Sequence, residues 1–533
     1  MSAFRVGPGG TLTFNGEQIA NFVPQLVHIF EDAARGAAGP LAALQVEFVI
    51  ENQDHKQSVT IKYEDLDKFN FEVAFPGCIC SNSKGHSTKK LVVRYIREQL
   101  GRAIEAGADG TYYAAPGWYT QPSGMKYVIG NQIIGQRAER SFRISPVVSQ
   151  VSLCSNPQLA PCDAAEMLFK AIERFSRITL PVYAFTLYAS LRSVMRKEGL
   201  PTACVLYLVG NQGYGKTETA KRFCALYQDD TGTYTNIYDL HSTEAAMRNA
   251  AAGARDQIIV LDDICKSTNK QDQRQRRDFA ASLIKASTNG TPVTYMQGRA
   301  VKAVECAASL VITGEFPLEE ASELIRCVTI SIDQQLTGGD DSDRMVAASA
   351  LESFLQWFSE HAEEELNLLR KDYRSFKTKE RSHREERLQI SLWELSWVFG
   401  SFLRFAVSVG AISQHASEKI DKTLTSILLQ IFSDTLHRIE KLHSNPLSAL
   451  AAVIKAGAVT KKFPYFLHNG CLCVRTEDLT AYLQKVSGNS MLTTNDITAL
   501  LRQKNLLCMD NTGKSTRKVN GVRVLTIPRD KLQ

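Results

Sequence analysis

The stretch from Val205 to Thr217, VLYLVGNQGYGKT, constrains the fold of this chain more than any other feature. An apolar run that predicts a buried strand leads into the pattern G-x-x-x-x-G-K-T, and residues 218–227 predict a helix. Glycines in such a loop let backbone N–H groups curl around phosphate oxygens without a Cβ clash. Strand, loop and helix in this order predict an α/β core with a phosphate-binding loop.

The loop predicts a site for ATP and Mg²⁺. Lys216 should reach the β- and γ-phosphates, Thr217 should offer its hydroxyl to Mg²⁺, and the helix N-terminus adds its dipole. The predicted ATP-binding residues are Gly210, Asn211, Gln212, Gly213, Tyr214, Gly215, Lys216, Thr217 and Glu218.

A second apolar run, QIIVLDDI from Gln257 to Ile264, ends in two carboxylates about 45 residues after the loop. Asp262 is predicted to hold the Mg²⁺ ion, directly or through water. Asp263 takes the position of the carboxylate that orients or deprotonates the attacking water. Many such ATPases carry Glu there, and Asp is one methylene shorter, so the water must sit closer. A helix cap is the alternative for this pair.

Two further candidates follow in the same core. The run SLVITGE, residues 309–315, predicts a third core strand that ends in a polar residue. In an additional-strand ATPase core, this strand lies between the phosphate-loop strand and the Asp262 strand, which would aim Thr313 at the γ-phosphate. Its alternative is an ordinary strand end.

Arg326 lies between a predicted helix, 318–324, and a predicted strand. That is the arginine-finger position of ring ATPases, which act on a neighbouring subunit's ATP, although Arg326 also suits a helix cap. Arg344 is a positional guess for a lid arginine.

Residues 290–304 predict a hairpin that projects from the core. In ring helicases a hairpin at this place lines the central pore and holds the phosphates of the strand. Arg299 and Lys302 are therefore candidate DNA contacts, while surface charge without a function is the alternative. Tyr295-Met296 in the same hairpin would instead suit a pore that grips protein.

The last segment carries most of the net charge. Residues 461–533 hold twelve Lys/Arg and five Asp/Glu, net +7, whereas the other 460 residues sum to −1. Helices at 477–486 and 494–504, then strands at 506–509 and 522–527 around the loop 510–521, predict a winged helix. The loop presents Lys514, Arg517 and Lys518, which we expect to contact DNA. A winged helix used for protein contacts is the alternative.

The remaining sequence sets the domain plan. Alternating runs predict a hairpin over Phe48–Ile61 and a strand pair from Gly117 to Ile129, and periodicity predicts helices at 91–106, 164–196 and 347–442. We therefore expect a β-rich N-terminal domain (1–155), an ATPase core (156–335), a helical lid (336–445) and a basic winged helix (446–533).

Composition excludes several classes. Hydrophobic residues at 44% and charged residues at 22% exclude a disordered or low-complexity chain. The most apolar stretch, Ser391–Ile412, contains Glu394 and Arg404, so we expect no membrane span. The N-terminus has no apolar run before a cleavage site, and we expect a cytoplasmic protein. Twelve scattered cysteines favour buried thiols over a zinc site.

The order phosphate loop, Asp-Asp, hairpin, Thr-Gly-Glu, arginine and strand is that of the AAA+ class. Gly117-Trp118 followed by Tyr127-Val-Ile-Gly130, ahead of these motifs, resembles predicted helicases of bacterial mobile elements. These are similar to the MCM-like replicative helicase of staphylococcal cassette elements. The resemblance covers roughly residues 40 to 335, and Asp263 in place of Glu also resembles viral superfamily 3 helicases.

This resemblance implies a DNA helicase or helicase-like replication initiator that forms a hexameric ring and translocates on single-stranded DNA. Larger members of the family carry a fused primase or a long N-terminal polymerase-like region that this sequence lacks, and we expect priming to come from elsewhere. Two alternatives stay open: a non-unwinding AAA+ regulator of DNA loading or transposition, and an AAA+ protein remodeller.

Overall fold

The computed structural model describes most of the chain, and every structural statement below concerns that part. The described residues are 3–33, 44–51, 56–80, 87–106, 109–121, 124–135, 141–239, 244–264, 270–289, 293–297, 300–304, 306–315, 317–318, 320–336, 341–377, 385–443, 450–487, 492–508 and 514–532. Packing divides the chain into two compact units. The first comprises residues 1–264, 279–316 and 326–429, and the second comprises 265–278, 317–325 and 430–533.

The first 155 residues are mainly antiparallel β-structure. Their elements are β1 (Phe4–Gly7), β2 (Thr11–Phe14), β3 (Glu17–Ala20), β4 (Val23–Asp32), β5 (Leu44–Glu51), β6 (Lys56–Lys62), α1 (Phe71–Ala74), α2 (Ser87–Ala106), β7 (Gly110–Tyr113), β8 (Gly117–Gln121), β9 (Gly124–Ile129), β10 (Gln132–Gly135), β11 (Ser141–Ile144), α3 (Pro146–Ser149) and β12 (Ser152–Leu153). They form sheets in the orders β1-β2-β3, β11-β7-β4-β5-β6 and β10-β9-β8.

One face of β5 explains how α2 is held. Val46, Phe48 and Ile50 alternate along the strand and are buried in one core with Val92 and Ile96 of α2. Burying side chains of this size stabilises the fold by roughly 1.5–3 kcal/mol each. The predicted hairpin over 48–61 is confirmed as β5 and β6, which pair antiparallel, and the predicted helix is confirmed as α2.

Strands and helices alternate through the middle of the chain. The elements are α4 (Pro161–Glu173), α5 (Ser176–Lys197), β13 (Val205–Gly210), α6 (Lys216–Phe223), β14 (Tyr227–Gln228), β15 (Ile237–Asp239), α7 (Glu244–Gly253), β16 (Ile258–Ile264), α8 (Lys270–Asn289), β17 (Val293–Gln297), β18 (Ala300–Val304), β19 (Ser309–Gly314), α9 (Ala321–Leu324) and β20 (Cys327–Ile332).

Five of these strands form a parallel sheet in the order β15-β16-β19-β13-β20. All six residues of β19 and the first five of β13 are buried, because helices cover both faces of such a sheet. The prediction that β19 lies between β13 and β16 is confirmed. The carboxyl ends of these three strands therefore meet at one edge.

Four long helices follow the sheet: α10 (Asp341–Glu360), α11 (Ala362–Lys377), α12 (Glu386–Ser408) and α13 (Gln414–His443). Among the described helices, α12 alone is long and apolar enough to cross a membrane. Of its most apolar window 72% is buried, and it packs against α5, which is how a core helix behaves.

The C-terminal part of the second unit contains α14 (Leu450–Val459), β21 (Tyr465–His468), β22 (Cys471–Val474), α15 (Thr476–Ser487), α16 (Thr494–Gln503), β23 (Thr516–Val519) and β24 (Val522–Pro528). The strands form an antiparallel sheet in the order β21-β22-β24-β23. A capping box at Thr493 and Asp496 begins α16, and each side chain there bonds the backbone N–H of the other residue.

Two predicted elements are wrong in extent. The helix after the phosphate loop ends at Phe223, because Tyr227 pairs with Leu153 as part of β14. The predicted strand 506–509 is absent over its described residues. Leu506 and Leu507 are both buried in the helical core instead of alternating between two faces. The hairpin is β23 and β24, so Arg517 and Lys518 lie on a strand and not in a loop.

Glu394 of α12 is fully buried, and its Oε1 accepts a hydrogen bond from the backbone N–H of Thr202 (3.0 Å). Burial raises the pKa of Glu394 to about 8, against the opposing effects of that bond and of Arg192 and Arg196. The folded state therefore holds a proton that the unfolded chain releases near its ordinary pKa of 4.5. Stability should fall as pH rises between these values.

Glu394→Gln should remove this pH dependence. We expect the variant to gain several kcal/mol of stability relative to the native chain between about pH 5 and pH 8, measured as melting temperatures across that range. Glu365→Gln is the matched control. It removes a buried carboxylate held by Arg404 and should destabilise at both ends of the range. Parallel curves for the native chain and Glu394→Gln would contradict the argument.

Candidate nucleotide-binding site

The phosphate loop joins the end of β13 to the start of α6. Gly215 stands at the N-cap of α6 with φ +89°, a left-handed conformation that favours glycine. At Gly210 a Cβ would overlap the backbone carbonyl oxygen of Ile332 on the adjacent strand β20. Gly210 and Gly215 are therefore required by the geometry of the chain's own backbone.

Lys216 is the first residue of α6, and its side chain turns back over the loop. It is only 7% exposed, and its Nζ donates to the carbonyl oxygen of Asn211 (2.9 Å). The ammonium group is thereby held beside the backbone that surrounds the predicted phosphate position. Glu218, in the same first turn, pairs with Lys221 at the surface (3.2 Å).

Asp262 of β16 is hydrogen-bonded to two other predicted site residues. Its Oδ1 accepts a hydrogen bond from Thr217 Oγ1 of α6 (2.7 Å) and another from Thr313 Oγ1 of β19 (2.7 Å). The pairing of β16 with β19 shifts register between Leu261 and Ile264, and such irregularities re-aim side chains. The structure thus brings together three of the predicted site residues.

The same atoms suit a magnesium ion. A hydroxyl and a carboxylate at a helix N-terminus are the hard oxygen ligands that Mg²⁺ takes beside phosphates. The predicted metal residues, Thr217 and Asp262, therefore fit the ion. Elsewhere in the described residues no group of three or more His, Cys, Asp or Glu side chains could hold a metal ion. The eleven described cysteines form no disulfide.

Other predicted residues lie away from this centre or outside the described part. Asp263 is on β16 and Lys302 on β18, but their side chains are not among the described ones, and Arg299 lies outside the described residues altogether. The hairpin that carries Lys302 is present as the antiparallel pair β17 and β18.

Arg326 immediately precedes β20, at the end of the sheet opposite to the phosphate loop. Its carbonyl oxygen accepts from the N–H of Val205 (3.1 Å), and its Nη2 is 3.4 Å from Asn289 Oδ1. Because β13 and β20 run parallel, Val205 and the loop are separated by the length of a strand, about 17 Å. The structure does not bring Arg326 to the phosphate loop of its own chain.

Arg344, the positional guess for a lid arginine, lies on α10. It is 2% exposed, and its guanidinium carbon lies 3.1 Å from the ring centre of Tyr234. It also contacts Cys154: burial raises the pKa of that thiol, and the arginine opposes the shift. The N–H of Cys154 in turn donates to Leu226 O, just beyond the end of α6.

A small crevice beside α6 was not predicted. It has a volume of about 20 Å³ and is lined by Ala171, Arg174, Phe175, Thr179, Thr219, Arg222, Phe223, Leu336 and Asp343. Leu336 links it to the loop, since its N–H donates to Tyr214 O (3.3 Å). Arg174 and Asp343 form an ion pair at its rim (3.2 Å). No sequence motif marks these residues, which come together only by tertiary packing.

The basic residues of the C-terminal sheet differ in exposure. Lys514 and Lys518 are exposed, whereas Arg517 is half-buried on β23. Its guanidinium lies close enough to Cys471 and Cys473 to oppose the rise in pKa that burial gives both thiols. The turn of this hairpin is Asn520-Gly521, where both residues have positive φ.

Fold and site together define a mixed α/β protein with a phosphate-loop site at the carboxyl edge of a parallel sheet. No family model and no curated protein matches the sequence. In structure the chain is similar to the SCCmec type IV Cch active helicase. The TM-score is 0.55 at 13% identity, over 100% of this chain and 99% of that one. The predicted resemblance to a helicase of staphylococcal cassette elements is confirmed at the level of fold.

Weaker matches are the apo C-terminal region of NrS-1 and the JCV helicase. The first has a TM-score of 0.30 at 10% identity, over 94% of this chain and 96% of that one. The second has a TM-score of 0.22 at 11% identity, over 51% of this chain and 74% of that one. Scores this low carry no argument about this chain.

Gly210→Ala should disrupt the loop, because the added methyl group meets the Ile332 carbonyl. We expect a melting temperature several degrees lower and loss of nucleotide binding, measured by thermal denaturation and by titration with a fluorescent ADP analogue. Gly101→Ala is the control, since a Cβ at this helical position meets nothing within 4 Å. It should be neutral or slightly stabilising. Equal behaviour of the two variants would refute the packing argument.

Proposed function

We propose that this protein is an AAA+ ATPase that works as a DNA helicase or helicase-like replication initiator of a mobile genetic element. The observation that carries the proposal is the convergence of Thr217, Asp262 and Thr313 through one carboxylate oxygen beside a phosphate loop. The sheet order and the fold shared with a helicase support it.

Each residue of the ATP site has a role in this proposal. Lys216 binds the β- and γ-phosphates, and the loop amides bind the remaining phosphate oxygens. Thr217 and Asp262 hold Mg²⁺, which when bound draws charge from the phosphoryl oxygens. Asp263 orients the attacking water, and Thr313 keeps Asp262 in place while facing the γ-phosphate.

The proposed active form is a ring, in which Arg326 acts on the ATP of a neighbouring subunit. A residue about 17 Å from its own loop serves ATP only across a subunit boundary, as an arginine finger does. A hexamer that translocates on single-stranded DNA is the form that the family resemblance implies. Its pore would be lined by the β17–β18 hairpin with Arg299 and Lys302.

The second unit is proposed to bind nucleic acid. Its last 73 residues carry net +7, and Lys514, Arg517 and Lys518 cluster around β23. Binding of a polyanion such as DNA to a basic surface releases condensed counterions, which favours the complex. Two helices followed by the β23–β24 hairpin support the winged-helix assignment, with residues 336–445 as the helical lid of the ATPase.

Lys216→Ala should abolish ATP turnover because the phosphates lose their cation. Lys221→Ala, on the same helix but paired with Glu218 at the surface, should keep turnover within twofold of the native chain. The assay is phosphate release with and without single-stranded DNA, alongside the mass in solution. DNA-stimulated turnover from a particle of about six subunits supports translocation. Unchanged hydrolysis in Lys216→Ala would overturn the site assignment.

Arg326→Ala should lower turnover at least tenfold and leave ATP binding intact. In mixtures with Lys216→Ala protein, some interfaces pair an intact loop with an intact arginine, so turnover should partly recover. Each variant mixed with itself is the control. Absence of recovery at every mixing ratio would leave Arg326 with a structural role only.

A further inference from the structure

The turn that precedes β16 forms hydrogen bonds with three other elements: β8, β9 and α5. Asp256 stands there with φ +58° and is 1% exposed. Its Oδ2 accepts from the backbone N–H of Trp118 (3.0 Å) and from Ser193 Oγ (2.5 Å), and its Oδ1 accepts from Ser193 N–H (2.7 Å). Its carbonyl oxygen accepts from Tyr127 Oη (2.8 Å).

The hydrogen-bond donors around the Asp256 carboxylate offset the desolvation penalty of burying it. Burial raises the pKa of Asp256, while the Ser193 hydroxyl, the Trp118 amide and the nearby Arg255 oppose the shift. Three donors on one buried carboxylate are more than packing alone requires, since an apolar side chain would avoid the desolvation penalty. The arrangement fixes where the turn sits.

The residues on either side of Asp256 also contact other elements of the fold. Arg255 Nε donates to Pro116 O (2.8 Å), and its guanidinium lies 4.4 Å from the ring centre of Tyr119. Gln257 accepts from Asn236 Nδ2 (3.2 Å) through its side chain and from Ser309 N–H (2.9 Å) through its carbonyl. We call residues 255–257 the Asp256 junction.

The Gly117-Trp118 pair is built to fit this junction. Gly117 has φ +92°, and a Cβ there would overlap the Asp256 carboxylate. The Trp118 indole N–H donates to Ser190 O of α5 (2.7 Å), and the ring lies 5.2 Å from that of Tyr127. The β8–β9 hairpin is therefore docked on α5 and on the junction together.

The junction leads directly into the strand that carries the site. Asp262 lies six residues beyond Asp256 on an extended chain, about 20 Å away. The two 2.7 Å bonds to Asp262 tolerate displacements of only a few tenths of an ångström before they weaken. The position of the start of β16 therefore affects whether the Asp262 carboxylate can accept hydrogen bonds from both Thr217 and Thr313.

We propose that Asp256 is a positioning residue for nucleotide hydrolysis, which fixes β16 through the Gly117-Trp118 turn and α5. Hydrolysis then depends on the docking of the β8–β9 hairpin against the Asp256 junction and α5. Displacement of this hairpin slows the chemical step without preventing nucleotide binding. The inference rests on the proposed ATPase function and deepens it.

Asp256→Asn tests the proposal, because the amide keeps the size of the side chain but turns an N–H group towards an existing donor. We expect nucleotide affinity in EDTA within twofold of the native chain and turnover at saturating ATP at least tenfold lower. The Mg²⁺ concentration that strengthens nucleotide binding should rise at least fivefold. This binding readout does not depend on turnover, and a purely structural role would not move it.

Glu394→Gln is the matched control, since it alters a buried carboxylate of the same unit that has no bond to β16. Its turnover and Mg²⁺ dependence should equal those of the native chain. Turnover and Mg²⁺ dependence of Asp256→Asn within twofold of native, whatever its melting temperature, would overturn the proposal. If Asp256→Asn does not fold, Ser193→Ala decides by the same readouts, since it removes one donor and keeps two.

The two proposals fail in different ways. A native chain without turnover, indistinguishable from Lys216→Ala, would overturn the ATPase function itself. A native chain that hydrolyses ATP while Asp256→Asn and Ser193→Ala do likewise would overturn only the positioning role.

Discussion

The hydrogen bonds that Asp262 accepts from Thr217 and Thr313 depend on elements distant in the chain. The two hydroxyls belong to α6 and β19, and the carboxylate belongs to β16, so three separate segments must agree within a few tenths of an ångström. Only a rigid scaffold can meet that demand. The parallel sheet supplies it, because β16, β19 and β13 are adjacent and their buried residues are covered on both faces.

Buried polar groups supply the alignment that apolar packing does not. Arg192 of α5 is 3% exposed and donates to the carbonyl oxygens of Ser287 (2.7 Å) and Ala307 (3.2 Å). It thereby joins the end of α8 to the segment that enters β19. Asp256 does the same at the entry to β16. Apolar contacts are tolerant of small slides, whereas a buried hydrogen bond that is lost costs about 1–3 kcal/mol.

The sequence was most informative where the signal is local. The phosphate loop and the hairpins follow from short motifs, because their glycines and alternations are encoded within a few residues. The order of β13, β19 and β16 is predicted by the resemblance to additional-strand ATPase cores and not by a local motif. The crevice around Leu336 could not be predicted, since its lining residues are up to 172 residues apart. The contacts of the Asp256 junction could not be predicted either, since Trp118 and Asp256 are 138 residues apart. The pair Leu506-Leu507 wrongly predicts a strand, because adjacent leucines do not distinguish a strand from a buried loop.

Sheet geometry also explains where Arg326 lies relative to the phosphate loop. In a parallel sheet all carboxyl ends share one edge, so the loop, Asp262 and Thr313 gather there. A residue placed before a strand, as Arg326 is before β20, must lie at the other edge. A chain that folds in this way cannot bring that guanidinium to its own phosphates without dismantling the sheet. The proposed role of Arg326 as an arginine finger therefore requires that it act on the nucleotide of a neighbouring molecule.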